Sequence, residues 1–229
     1  MSTAGIAARL DYASPIHGEN RILLVMLPGA GIRAQDFAAE GMVDTTHAHP
    51  LPIDIAVVEP ELALYLEDGI ADALHKEIAC TALDLGYRRV WLLGISLGGM
   101  GALLYASTYP GNVEGIILLA PFLGTRGTMA VLGRDGGFQP DREHLATTSS
   151  EQRVLAWLTA HLKDGANAPS LYLGYARQDR FSHGHRLLAD RLPPERTAIR
   201  DGVHDWNSWT ALWGDILERP LFCPTGRRQ

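Results

Sequence analysis

The sequence predicts an α/β protein: one mostly parallel central sheet with helices on both faces. Three observations carry this. Short continuous apolar runs, such as residues 21–27 and 90–95, read as strands buried on both sides, which is the environment of a parallel sheet. Segments with apolar residues at helical spacing lie between those runs. Strand, helix and strand in that order make a right-handed crossover, and so place the two strands parallel.

In chain order, residues 8–12 read as an outer strand and residues 14–20, with Pro15, Gly18 and Asn20, as a turn. Residues 21–27 are a buried strand running into Pro28-Gly29-Ala30-Gly31. Residues 36–41 read as a short helix. Residues 44–52 are polar and end in prolines, so a loop is expected there. Residues 53–58 form the next strand, stopped by Glu59-Pro60. Ile70, Leu74, Ile78, Ala82 and Leu85 fall on one helical face within residues 67–85, and Gly86 ends that helix. The strand at 90–95 then turns at Ser96 into a helix through Met100, Leu103 and Leu104 to Tyr109. Pro110-Gly111-Asn112 is a turn, and residues 113–120 are a buried strand. Residues 124–150 show little periodicity and much Gly, Arg, Asp and Thr. A stretch that long is expected to be a partly ordered flap. Residues 153–162 are an amphipathic helix and 170–176 a strand. His183 and His185 fall at the start of a further helix that Pro193-Pro194 breaks, and residues 197–200 are a last strand. A closing helix carries Trp206, Trp209, Trp213 and Ile216.

Composition narrows the classes. The chain has 229 residues and 46% hydrophobic content, which suits one domain with a sizeable core. Lys+Arg 20 against Asp+Glu 26 gives a net charge of -6, and no basic stripe appears, so nucleic acid is not an expected partner. No run approaches the ~18 apolar residues of a membrane span. The first residues lack the basic-then-apolar order of a signal peptide, and Cys80 and Cys223 are far apart. Two reduced thiols in a cytoplasmic protein are the expectation.

The chemistry concentrates at Gly94-Ile95-Ser96-Leu97-Gly98. A chain that passes directly from strand to helix forces the central residue into a strained conformation and exposes its side chain at the sheet's carboxyl edge. The N–H of Leu97 opens the helix and aims its dipole at whatever Ser96 attacks. The bland alternative is a small residue in a tight turn. The flanking strand and helix, with the partners downstream, favour a nucleophile. The pattern resembles the nucleophile elbow of the α/β-hydrolase fold. The run Gly202-Val203-His204-Asp205-Trp206-Asn207-Ser208-Trp209, with the elbow extended to Gly99-Met100-Gly101, is similar to the esterase D-like group.

That resemblance, which runs from Arg21 to Leu217, implies an α/β-hydrolase fold with no large lid and a short flap-like insert at about 124–150, and residues 1–229 are read as one domain. It implies a serine hydrolase that cleaves a carboxylic ester or thioester through an acyl-enzyme on Ser96. Asp179 would be the acid and His204 the base, because the family keeps the order Ser, acid, His. Asp205 and Asp201 are rivals to Asp179, but sequence neighbours of His204 rarely reach its far ring nitrogen. The family's oxyanion donors would be the N–H groups of Ala30 and Leu97, although Pro28 stands where the family commonly has His. A phosphate loop is disfavoured, because no Gly-Lys-Ser/Thr follows Gly31. The pairs His47/His49 and His183/His185 are compatible with metal, but no third ligand is evident, and no metal or cofactor is expected. Arg126, Arg134 and Arg142 read either as contacts for an acidic substrate or as scattered surface charge. A small-molecule ester or thioester is the expected partner, and activity should fall on acidification, when the imidazole charges. An acyltransferase or peptidase on the same fold, or a non-catalytic binding protein, remains compatible with these residues.

Overall fold

A computed structural model of the chain describes residues 4–17, 20–138, 149–164 and 169–222. Among the described residues, seven strands form one sheet in the order β1-β3-β2-β4-β5-β6-β7. The strands are β1 (Ile6–Tyr12), β2 (Ile22–Leu27), β3 (Ile53–Pro60), β4 (Arg89–Ile95), β5 (Gly115–Leu119), β6 (Ser170–Ala176) and β7 (Thr197–Arg200). Only β1 runs antiparallel, beside β3 at one edge. The chain starts its parallel portion at β2, crosses to β3 on one side, and returns to place β4 on the other. The strand order therefore reverses between β2 and β4, and a crevice opens at their carboxyl ends.

The five inner strands are buried on both faces, and their alternate residues feed two separate cores. Leu23, Val25 and Leu27 face one core, with α4 (Ile70–Leu85), α5 (Leu97–Thr108) and α7 (Ser150–Asp164) packed over it. Ile22, Leu24 and Met26 face the other, covered by α1 (Asp36–Ala39), α2 (Met42–His47) and α9 (Trp206–Leu217). Each fully buried Leu or Ile contributes about 1.5–3 kcal/mol, so both layers are needed. Among the described residues, no large lid covers the carboxyl edge.

The structure refines the sequence reading at three places. Residues 44–47, expected as the start of a loop, belong to the helix α2. The Thr45 and Thr46 hydroxyls bond back to the carbonyls of Gly41 and Met42, and Met42, Val43 and Thr46 are buried. The helix expected over 67–85 is α4, which starts only at Ile70 because Asp68 has a φ of 64°; a separate short helix not expected from the sequence, α3 (Leu62–Leu66), precedes it. Within the expected flap, residues 126–134 are α6 (Arg126–Arg134). Thr125 caps it, and Met129 and Leu132 anchor it in the core. Residues 139–148, with Arg142, lie outside the described residues, as do Gly18, Cys223 and the Cys80 side chain. The eighth helix, α8 (Ser182–Ala189), begins where expected.

Far from the crevice, Asp54 pins the amino end of β3. It is 5% exposed; its Oδ1 accepts from the Ser14 N–H and its Oδ2 from Arg21 Nε and the Tyr87 hydroxyl. Burial alone would push this carboxyl up, but the bonds from Arg21, Ser14 and Tyr87 outweigh it and hold it below the usual range. Its stabilisation is present above the usual carboxylate pKa of about 4 and is lost as pH falls through the lower folded value. Asp54→Asn should cost about 1–3 kcal/mol at pH 7 and far less near pH 3. Thermal unfolding of both proteins at the two pH values measures this; an equal deficit at both would show that ionised Asp54 is not the stabilising form.

Candidate active site

β4 ends at Ile95 and α5 begins at Leu97, so Ser96 alone makes the turn. Its φ of 51° and ψ of -113° are strained for a residue with a side chain, at a cost of about 1–3 kcal/mol. Its peptide groups hold it there. The Ser96 N–H donates to the Leu119 carbonyl at 3.0 Å, and the N–H groups of Phe122 and Gly99 donate to the Ser96 carbonyl at 2.8 and 3.0 Å. The turn closes only because two neighbours lack side chains. A Cβ on Gly94 would stand 2.4 Å from the Gly98 oxygen, and one on Gly98 would stand 2.1 Å from the Leu27 oxygen.

His204 follows β7 and precedes α9. Its Nε2 is 3.0 Å from Ser96 Oγ, and its Nδ1 is 2.7 Å from Asp179 Oδ2. Asp179 follows β6 and is 3% exposed, and its Oδ1 accepts the Phe181 N–H at 2.7 Å. Burial would raise the Asp179 pKa, but the bonds from His204 and the Phe181 N–H prevail, with the nearby His185 and His204 rings adding, and hold it below the usual range. An ionised Asp179 fixes the tautomer: Nδ1–H donates to the carboxylate, and Nε2 is left to accept from the serine hydroxyl. Three loops at one sheet edge thus bring Ser96, His204 and Asp179 into a continuous chain of hydrogen bonds.

The two rivals to Asp179 are engaged elsewhere. Asp205 caps α9 through the Ser208 N–H, and Asp201 pairs with Arg177. Sequence reasoning missed the groups that hold the imidazole in place. The rings of Phe181 and Trp209 stand perpendicular to it, at 87° and 86°, with centres 5.2 and 5.0 Å away. Phe181 directly follows Asp179-Arg180 and Trp209 ends the tryptophan run, but only the fold shows that both rings converge on one side chain.

Ala30 and Leu97 line one cavity with Pro28 and Gly29, about 360 Å³ in volume. A Cβ on Gly29 would stand 3.1 Å from that of Ser96, so this loop runs directly alongside the serine. Among the described residues, neither N–H has a hydrogen-bond acceptor. A second cavity, of about 260 Å³, lies behind Phe181. The H-x-H pair beside it splits: His183 is exposed and His185 is buried. His185 is turned to the Pro121 carbonyl at 2.8 Å, and burial lowers its pKa to about 4, so it is neutral at pH 7. Among the described residues, no group of three or more His, Cys, Asp or Glu is arranged to hold a metal. No helix among them is long and apolar enough to cross a membrane.

Comparison with known proteins adds a family. Residues 59–218 match the esterase family described as "Putative esterase". No curated protein matches the sequence. Similar solved structures include an S-formylglutathione hydrolase from Staphylococcus aureus, with a TM-score of 0.63 at 13% identity over 95% of this chain and 98% of that one. The S-formylglutathione hydrolase from Agrobacterium tumefaciens gives 0.61 at 17% over 92% and 89%. Est1E from Butyrivibrio proteoclasticus gives 0.59 at 13% over 95% and 96%. At such identities the likeness is one of fold, that of the α/β hydrolases.

The turn around Ser96 has no slack at Gly98. Gly98→Ala should destabilise the protein by about 3 kcal/mol or more, because the new methyl meets backbone at Leu27 rather than a side chain that can rotate away. Urea unfolding measures it, and a wild-type midpoint would mean that β2 and α5 can separate freely.

Proposed function

The chain belongs to the esterase family and is a carboxylesterase-like hydrolase with an α/β-hydrolase fold; from that premise we propose that it cleaves a small carboxylic ester or thioester through an acyl-enzyme on Ser96. The observation that carries this reading is the unbroken path from Ser96 Oγ through the His204 ring to Asp179, at 3.0 and 2.7 Å.

In this mechanism Ser96 Oγ attacks the acyl carbon while His204 Nε2 takes the hydroxyl proton. Asp179 keeps the ring oriented and stabilises the imidazolium that forms. The carbonyl oxygen gains negative charge next to the free N–H groups of Ala30 and Leu97, each worth about 3–4 kcal/mol in the transition state. The imidazolium then protonates the departing alkoxide or thiolate, and the C–O or C–S bond breaks. Water repeats the sequence on the acyl-serine: His204 takes its proton, and the acid leaves as Ser96 regains its hydrogen. Ester and water thus become acid and alcohol or thiol. No step uses a metal or cofactor.

A fluorophosphonate probe should label the wild-type protein on Ser96 and leave Ser96→Ala unlabelled but folded. Labelling of another residue, or near-normal turnover by Ser96→Ala, would sink the reading. Chelator should leave turnover of an activated ester unchanged.

The acid is tested separately. Asp179→Asn should lower kcat by about 10³–10⁴, because the amide cannot hold the correct tautomer. Asp205→Asn should change kcat little, since asparagine caps a helix as well as aspartate does. The opposite ranking would reassign the acid.

A further inference from the structure

The cavity behind Phe181 is chemically unlike the one beside Ala30. In the latter the carboxylates of Glu59 and Glu61 already accept from backbone N–H groups, of Ala34 and Gly5. The cavity behind Phe181 has an apolar floor of Leu123, Met129 and Phe181, and two arginines, Arg126 and Arg180, at its walls. Both arginines are exposed, and among the described residues neither is paired with a carboxylate. Arg180 lies with its guanidinium carbon 4.9 Å from the centre of the Phe181 ring, which fixes it over the wall of the cavity. The nearby carboxylate of Glu151 is engaged by the Thr125 N–H and the Thr128 hydroxyl. The first turn of α8, through Ser182, His183 and Gly184, also lines this space, and no side chain caps that helix. The positive end of its dipole therefore adds to the two arginines.

The cavity abuts the candidate triad. Phe181, which lines it, stands perpendicular to the His204 imidazole and packs against Phe122, whose N–H holds the Ser96 carbonyl. This aromatic pair is what separates the cavity from Ser96 and His204.

We propose that a substrate whose carbonyl sits at Ser96 extends one arm past Phe122 and Phe181 into this cavity, which is a subsite for an anionic arm of the ester, a carboxylate carried on a short apolar linker, held by Arg126 and Arg180. The proposal rests on the serine-hydrolase reading above. The apolar floor takes the linker and the arginines take the charge, and charge-assisted bonds to carboxylate are the strong class of hydrogen bond.

Two ester pairs test it and separate the two arms. Mono-4-nitrophenyl glutarate against its neutral methyl ester places the carboxylate on the acyl side. 4-(Carboxymethyl)phenyl acetate against its methyl ester places it on the leaving group, with a methylene insulating the phenol. In one of the pairs the wild-type kcat/KM ratio, charged over neutral, should exceed that of Arg126→Gln/Arg180→Gln by about tenfold, and should fall towards the variant's value in high salt. Thermal unfolding of the variant establishes that it is folded. Equal ratios in wild type and folded variant for both pairs would overturn the subsite while leaving the esterase reading intact. If neither neutral ester is turned over and fluorophosphonate does not label Ser96, the serine reading itself fails.

Discussion

Everything at the carboxyl edge depends on one strained residue. Ser96 occupies a conformation that ordinary side chains avoid, and it does so because its neighbours leave it no alternative. Gly94 and Gly98 allow β4, α5 and the end of β2 to approach within what would otherwise be collision distance. The Ser96 N–H and C=O are both used, towards Leu119 and Phe122, so the residue is fixed to the next strand and to the loop that follows it. The side chain has nowhere to go but out into the crevice. The strain is local, and the two buried layers of the sheet hold it in place.

The sheet order turns that single hydroxyl into a site. The reversal between β2 and β4 separates the loops that follow them, and the glycine loop after β2 comes alongside the serine from that side. The loops after β6 and β7 arrive from the other. They bring a buried carboxylate and an imidazole that are far apart in sequence but next to one another in space. Buried Asp179 is tolerable because its oxygens accept from His204 and from the Phe181 N–H. Removing either donor would leave buried charge unpaired. The rings of Phe181 and Trp209 then limit how the imidazole can tilt.

Much of this was legible in the sequence, for a physical reason. Buried parallel strands announce themselves as apolar runs, and a strand-to-helix turn on one serine needs glycines at fixed offsets. The chain order Ser96, Asp179, His204 followed from the family resemblance, and geometry places those three side chains within hydrogen-bond reach of one another. What could not be read was structure made by distant contacts. α2 has no strong helical pattern of its own; its Thr46 hydroxyl receives the Trp213 indole N–H from the other end of the chain. α6 is diluted by Gly127 and Gly133 and holds through Met129 and Leu132. The pairing of Arg126 with Arg180 across one cavity was equally invisible. The first was grouped in sequence with Arg134 and Arg142, whereas in space it lines one cavity with a residue next to Asp179.

Among the described residues the sheet has two open margins, β1 and the four-residue β7, and an unpaired margin is a template on which another chain can add. Both are charged. On β1, Arg9 pairs with Asp11 and Glu77; on β7, Arg200 pairs with Asp215 of α9. A second molecule docking edge to edge would have to strip water from those ion pairs before forming a single ladder bond. The same charges that contribute little to folding thereby protect the protein from aggregating, and substitutions that neutralise them would show in solubility on storage before they showed in unfolding.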